Sequence, residues 1–176
     1  MMNELFILGE LMEEPQSGYD LRSALQAALG HHRKVSYGVI YPLLEKLEKE
    51  GFVEINNVEG NGKNKKITTI TEKGKNRFFE LMKMPVPGGA HNADIYLIKL
   101  DVMQHLALEE QIQLLDEFYQ EQKYIIKNTQ DVLKELEKEN SKDHWYASKK
   151  FELRLQQANI AIQWTEKFKQ ELGKEW

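Results

Sequence analysis

A chain of 176 residues with 41% apolar and 30% charged side chains is long enough for one or two small domains with real cores. It has no cysteine, which excludes a disulfide framework, thiol catalysis and cysteine-ligated zinc, and no run approaches the ~18 apolar residues of a membrane span. The net charge of −4 argues against nucleic acid as a partner of the whole surface, yet it is unevenly spread: −4 over residues 1–30, +3 over 31–80 and −3 over 81–176. Met1-Met2-Asn3-Glu4 lacks the basic segment of a secretory signal, so the expected location is the cytoplasm, with no membrane contact.

Leu5, Phe6, Leu8, Leu11 and Met12 follow helical spacing and predict a first helix over 3–13, ended by Pro15. Ser17 is an N-cap with Asp20 three residues on, as in a capping box. The helix it opens carries Leu21, Ala24, Leu25, Ala28 and Leu29 on one face and stops at Gly30. A third helix runs from an N-cap at Ser36 to about Glu50, with Gly51 as its stop. Phe52, Val53, Ile55 and Val58 read as a strand, Glu59 to Asn64 as a turn with an Asn-Gly pair, and Ile67 to Ile70 as the return strand. Thr71 caps a fourth helix containing Phe78, Phe79, Leu81 and Met82. Three helices, a hairpin and a helix within about 80 residues make a winged helix-turn-helix, the hairpin being the wing.

Met84 to Gly89 is the clearest linker, and everything after it reads as helix: 94–106, 108–139 and 145–172. The fold class expected is mainly α with a small β-hairpin wing. Its domains are a winged helix-turn-helix over 1–84, a linker over 85–93 and a helical dimerisation domain over 94–176. Leu108, Ile112, Leu115, Tyr119, Gln122, Ile126, Thr129, Leu133 and Leu136 step alternately by four and three, a heptad seam. Phe118, Ile125 and Val132 widen it to a bundle face. The last helix carries Phe151, Leu153, Leu155, Ile160, Ile162, Trp164 and Phe168 around more than half its circumference, so it should be buried from two sides. A second copy of the chain is the simplest source of that cover. The expected homodimer interface is Leu108, Ile112, Leu115, Tyr119, Ile126, Leu133, Leu136, Phe151, Leu155, Ile162, Trp164 and Phe168.

In the third helix Val39, Ile40, Leu43, Leu44 and Leu47 cluster on a core side, and Gly38, Tyr41, Pro42, Glu45 and Lys49 lie opposite, with Tyr37 at the edge. Small residues and a hydroxyl-bearing ring near a capped helix start suit close approach to a DNA backbone and base edges. Pro42 leaves two readings open: a helix bent or loosened at its entry, or one that starts later, near Val39.

Ser17-Gly18-Tyr19-Asp20-Leu21, Val35 to Leu44 with its Ile-Tyr-Pro core, Leu47 to Phe52 and Ile70 to Gly74 together resemble the PadR family of bacterial transcriptional regulators. The helices after the linker resemble its longer subfamily, whose C-terminal helices dimerise. The resemblance implies a dimeric repressor on an inverted-repeat operator in double-stranded DNA, released in some members by small molecules that include phenolic acids. On this reading the DNA-binding residues are Ser17, Gly18, Tyr19, Lys34, Ser36, Tyr37, Gly38, Tyr41, Pro42, Lys49, Lys63, Asn64, Lys65 and Lys66. Departures from the family pattern include Glu45, where a carboxylate facing phosphates calls for pairing with Lys49, and Ala107 in place of a hydroxyl cap.

No catalytic constellation, phosphate loop or metal-ligand spacing is present, so the chain does not read as an enzyme, and no cofactor or metal is expected. His31-His32 reads as polar loop, and Trp145, Tyr146, Trp164 and Trp176 as core or interface anchors rather than a ligand box. Tyr96 and Lys99 share a face at i and i+3. They either hold an aromatic carboxylate in a crevice at the linker or are a core ring and a solvated ammonium. The rival function is a protein-interaction adaptor that does not bind DNA.

Overall fold

A computed structural model describes residues 2–30, 35–60, 63–89, 92–139 and 142–172. They divide into two compact units, Met1–Leu106 and Ala107–Trp176. The first holds α1 (Met2–Glu13), β1 (Gln16–Ser17), α2 (Gly18–Ala28), α3 (Tyr37–Lys49), β2 (Val53–Gly60), β3 (Lys63–Ile70), α4 (Glu72–Lys83), α5 (Asn92–Asp101) and a 3-10 turn (Met103–His105).

The hub of this unit is α1. Leu5, Phe6, Ile7, Leu8 and Leu11 are all buried, so the helix is covered nearly all round, by α2, α4, α5 and β3. Against it lie Leu21 and Leu25 of α2, Phe78 and Leu81 of α4, and Ile95 and Ile98 of α5. The Arg77 guanidinium donates to the buried Glu4 carboxylate at 2.9 Å and ties α4 to α1. Helix ends follow local chemistry. Ser17 and Thr71 cap α2 and α4 through their hydroxyls, and Gly30 and Gly51 end α2 and α3 at φ of +83° and +76°.

The sheet is antiparallel with order β1-β3-β2, and β1 pairs Gln16 with Thr68 and Ser17 with Ile67. The hairpin departs from the sequence expectation. Gly60 pairs with Lys63, so the connection is two residues, and Glu59, Gly60, Lys63 and Asn64, expected in the turn, belong to the paired strands, as do Lys65 and Lys66. Asn61 and Gly62 themselves lie outside the described residues.

The unit boundary also differs. It falls after Leu106 rather than at 85–93, because α5 packs on α1 and α2. The helix expected over 94–106 is α5 followed by a break and the 3-10 turn.

The second unit is an antiparallel pair, α6 (Leu108–Glu139) and α7 (Lys142–Glu171). Lys169 near the end of α7 meets Asp116 near the start of α6, and Trp164 sits edge-on to Phe118 at 6.2 Å. The Ala107 N–H donates to Glu110 at 3.3 Å, half of a capping box, where the sequence lacks a hydroxyl cap. Leu115 and Thr129 of the heptad seam are buried in this hairpin, with Leu114, Ala158 and Thr165. The seam is thus partly buried within one chain. Leu108 and Ile112 at its start, and Leu153, Ile160 and Trp164 on α7, remain exposed.

Candidate nucleic-acid interface

The start of α2 is built around Ser17. Its hydroxyl donates to the Asp20 carboxylate at 2.7 Å and accepts the Asp20 N–H at 3.3 Å. Ser17 and Gly18 are buried and Tyr19 is exposed. A Cβ on Gly18 would stand 2.9 Å from the Tyr41 ring, so the glycine lets α3 close onto α2. Of the three residues expected to reach DNA here, Ser17 caps, Gly18 packs and Tyr19 alone presents a free surface.

α3 begins at Tyr37 and continues through Pro42, which excludes the reading in which it starts near Val39. Ser36 occupies the N-cap position with extended backbone but makes no side-chain capping bond, and Val39 N–H takes the Ser36 carbonyl instead. Ile40, Leu44 and Leu47 face the core at i, i+4 and i+7. Val39, expected in that core, is 41% exposed. It sits about 100° from Ile40 around the helix, at the edge of the stripe. Gly38, Tyr41, Pro42, Glu45 and Lys49 are exposed, as is Tyr37. The Tyr37 and Tyr41 rings stack with centroids 5.9 Å apart, and the Arg22 guanidinium lies 4.5 Å over Tyr37 while donating to the Val35 carbonyl. The Glu45–Lys49 pair expected from spacing is not formed; the ion pair on α3 is between Lys46 and Glu50.

The wing is positioned beside this helix. Tyr41, Glu45, Asn57, Lys66 and Thr68 line a cavity of about 180 Å³ between α3 and the sheet. Lys65 and Lys66 are successive strand residues and so project to opposite sides. Lys65 pairs with Asp20 of α2 at 2.9 Å. Lys66 has no ion pair among the described residues. Hydrogen bonds from Ser17 and then from Lys65 hold the Asp20 carboxyl below its ordinary value. Lys34, His31, His32 and Trp176, and the side chains of Lys63 and Asn64, lie outside the described residues.

Sequence reasoning missed Asp20 and Arg22 as parts of this surface. Asp20 was legible only as a capping residue, and no local pattern places it beside a strand 45 residues on. Tyr96 and Lys99 belong to α5, in the first unit. Tyr96 is buried, and the Lys99 ammonium, buried rather than solvated, donates to the Met82 and Met84 carbonyls at 2.7 and 2.5 Å. These are carbonyls at the end of α4, where a helix leaves acceptors open.

Residues 7–80 match the transcriptional regulator PadR-like family. The negative transcriptional regulator PadR of Bacillus subtilis (strain 168) is 34% identical over 84 residues, 46% of either chain, so the match spans about half the length of that relative. Among solved structures, Bacillus subtilis PadR in complex with operator DNA is 24% identical, with 96% of this chain and 97% of that one covered and a TM-score of 0.45. The protein smu.1604c of Streptococcus mutans UA159 is 28% identical, at 95% and 98% coverage and a TM-score of 0.46. Bacillus subtilis PadR in complex with p-coumaric acid is 22% identical, at 99% and 97% coverage and a TM-score of 0.42. The matched segment is folded as a winged helix with β2–β3 as the wing. Among the described residues no helix is long and apolar enough to cross a membrane and no group of side chains is arranged to hold a metal ion.

Proposed function

We propose that this chain is a sequence-specific DNA-binding transcriptional regulator, a dimeric repressor that reads an inverted-repeat operator with α3 and grips the backbone with the wing. The observation that carries the reading is the exposed strip of α3, Tyr37, Gly38, Tyr41, Pro42 and Lys49, set beside the unpaired Lys66 in a segment that matches the PadR-like family. Sequencing genomic fragments retained by the purified protein tests it. An interrupted palindrome is expected, with half-sites roughly 10 base pairs apart. Tyr41→Ala should weaken operator binding by about tenfold to a hundredfold, the range for losing a base contact. Lys66→Ala should weaken all sequences alike and lower the slope of log affinity against log salt by about 0.9. No enrichment of DNA, or binding indifferent to salt, would favour the adaptor instead.

Dimerisation is assigned to the second unit. Leu108, Ile112 and Trp164 expose large apolar surfaces, as do Leu153 and Ile160. Tyr119, Ile126, Leu133, Leu136, Phe151, Leu155, Ile162 and Phe168 are half-buried, and Leu115 is interior to the hairpin. Placing aspartate at both Leu153 and Ile160 should convert the dimer to a monomer in light scattering while leaving helix content intact. An unchanged dimer places the interface elsewhere. The effector is assigned to small aromatic acids. Titrating hydroxycinnamic and benzoic acids into the protein–operator complex tests the class, and a ligand acts only through differential affinity for the two states.

A further inference from the structure

We infer that Asp20 acts as a surrogate phosphate, which holds Lys65 in an ion pair and withholds that cation from the DNA backbone. The inference rests on the DNA-binding reading above. The carboxylate is set for the role by three contacts: the Ser17 hydroxyl at 2.7 Å, the Asp20 N–H returning to that hydroxyl at 3.3 Å, and the Lys65 ammonium at 2.9 Å. It also stands in the first turn of α2, where the positive end of the helix favours an anion. Both side chains of the pair are about half exposed, so salt and DNA phosphate reach it.

Lys65 and Lys66 therefore differ although they are neighbours. Lys66 is free to neutralise a phosphate and release a counterion. Lys65 already faces an anion. Moving it to a phosphate would leave the Asp20 carboxylate uncompensated beside the DNA, where the repulsion cancels what the new pair gains. The wing then carries one effective charge fewer than its sequence suggests, and non-specific binding, which is almost wholly electrostatic, is lowered most.

The test is a salt titration of a random-sequence duplex against the full chain in four forms: the wild type, Asp20→Asn, Lys65→Gln and the double variant. Asparagine keeps an acceptor for the Ser17 hydroxyl, and an exposed pair adds little to fold stability, so the helix start is retained. Asp20→Asn should steepen the salt slope by about 0.9, so that it loses about 3.5-fold more affinity than the wild type between 50 and 200 mM salt. Lys65→Gln alone leaves the Asp20 carboxylate uncompensated beside the DNA and should weaken binding, whereas added to Asp20→Asn it should return the slope to the wild-type value. That reversal separates release of Lys65 from a general loss of negative charge. A slope unaltered by Asp20→Asn, or one that stays as steep in the double variant as in Asp20→Asn, overturns the inference and leaves the DNA-binding reading standing. Asp20→Gln, the neutral residue a capping box accepts at this position, carries the same readout where Asp20→Asn fails to fold. If no form binds any duplex, the DNA-binding reading falls and this inference falls with it.

Discussion

Gly74→Ala should destabilise the first unit by about 3 kcal/mol, enough to lower Tm by roughly 12–20 °C in a domain of this size. A Cβ there would stand 2.0 Å from the Phe52 carbonyl oxygen and 2.8 Å from Ile70 Cγ1. The carbonyl has little room to retreat, because it accepts both the Thr71 N–H at 3.0 Å and the Thr71 hydroxyl at 3.1 Å. Moving it breaks the joint between the end of α3, the sheet and the start of α4. Gly88→Ala is the control, since nothing lies within 4 Å of a Cβ there and it should melt with the wild type. A Gly74→Ala protein melting within about 3 °C of wild type would show that the joint yields.

Lys99→Met should cost about 2–3 kcal/mol in urea or thermal unfolding, the range for losing charged hydrogen bonds to buried acceptors. Methionine keeps most of the stem volume but removes the donor to the Met82 and Met84 carbonyls. The expected signature is lost stability with operator affinity preserved at a temperature where the variant is folded. The opposite signature, unchanged stability with a lost response to aromatic acids, would make Lys99 a ligand contact and the carbonyl contacts incidental.

Elements marked by their own chemistry were legible in the sequence. Ser17 and Thr71 announced helix starts, Gly30 and Gly51 helix ends, and the spacing of Ile40, Leu44 and Leu47 a buried stripe. β1 was not legible, because a two-residue strand has no period to detect, and it exists only through its pairing with Thr68 and Ile67. Lys99 was not, because lysine is rarely interior and its burial depends on the carbonyls at the end of another helix. The heptad of α6 reported that a partner helix exists but not which chain supplies it, and α7 of the same chain packs along α6. Met84 to Gly89 has the composition of a loop, but α5 packs back beyond it. At the candidate interface, the exposed strip of α3 was readable as a helical face, whereas the pairing of Asp20 with Lys65 depends on the sheet bringing distant segments together.

The central place of α1 also bears on how the chain is made. Its covers arrive late: the Arg77 partner of Glu4 is 73 residues on, and α5 is further still. At ribosomal speeds the roughly 80 residues between α1 and α5 take about 4–16 s to synthesise. Until α4 and α5 have emerged, Leu5, Phe6, Ile7, Leu8 and Leu11 have only the part of their native cover that α2 and β3 supply, a sticky segment of the kind that chaperones hold. The α6–α7 hairpin is the reverse case. Its contacts are local, so it can close as soon as α7 leaves the ribosome. The slow step in folding thus lies in the first unit, and substitutions that speed the pairing of α1 with α4 should raise the yield of folded protein more than any change in the long helices.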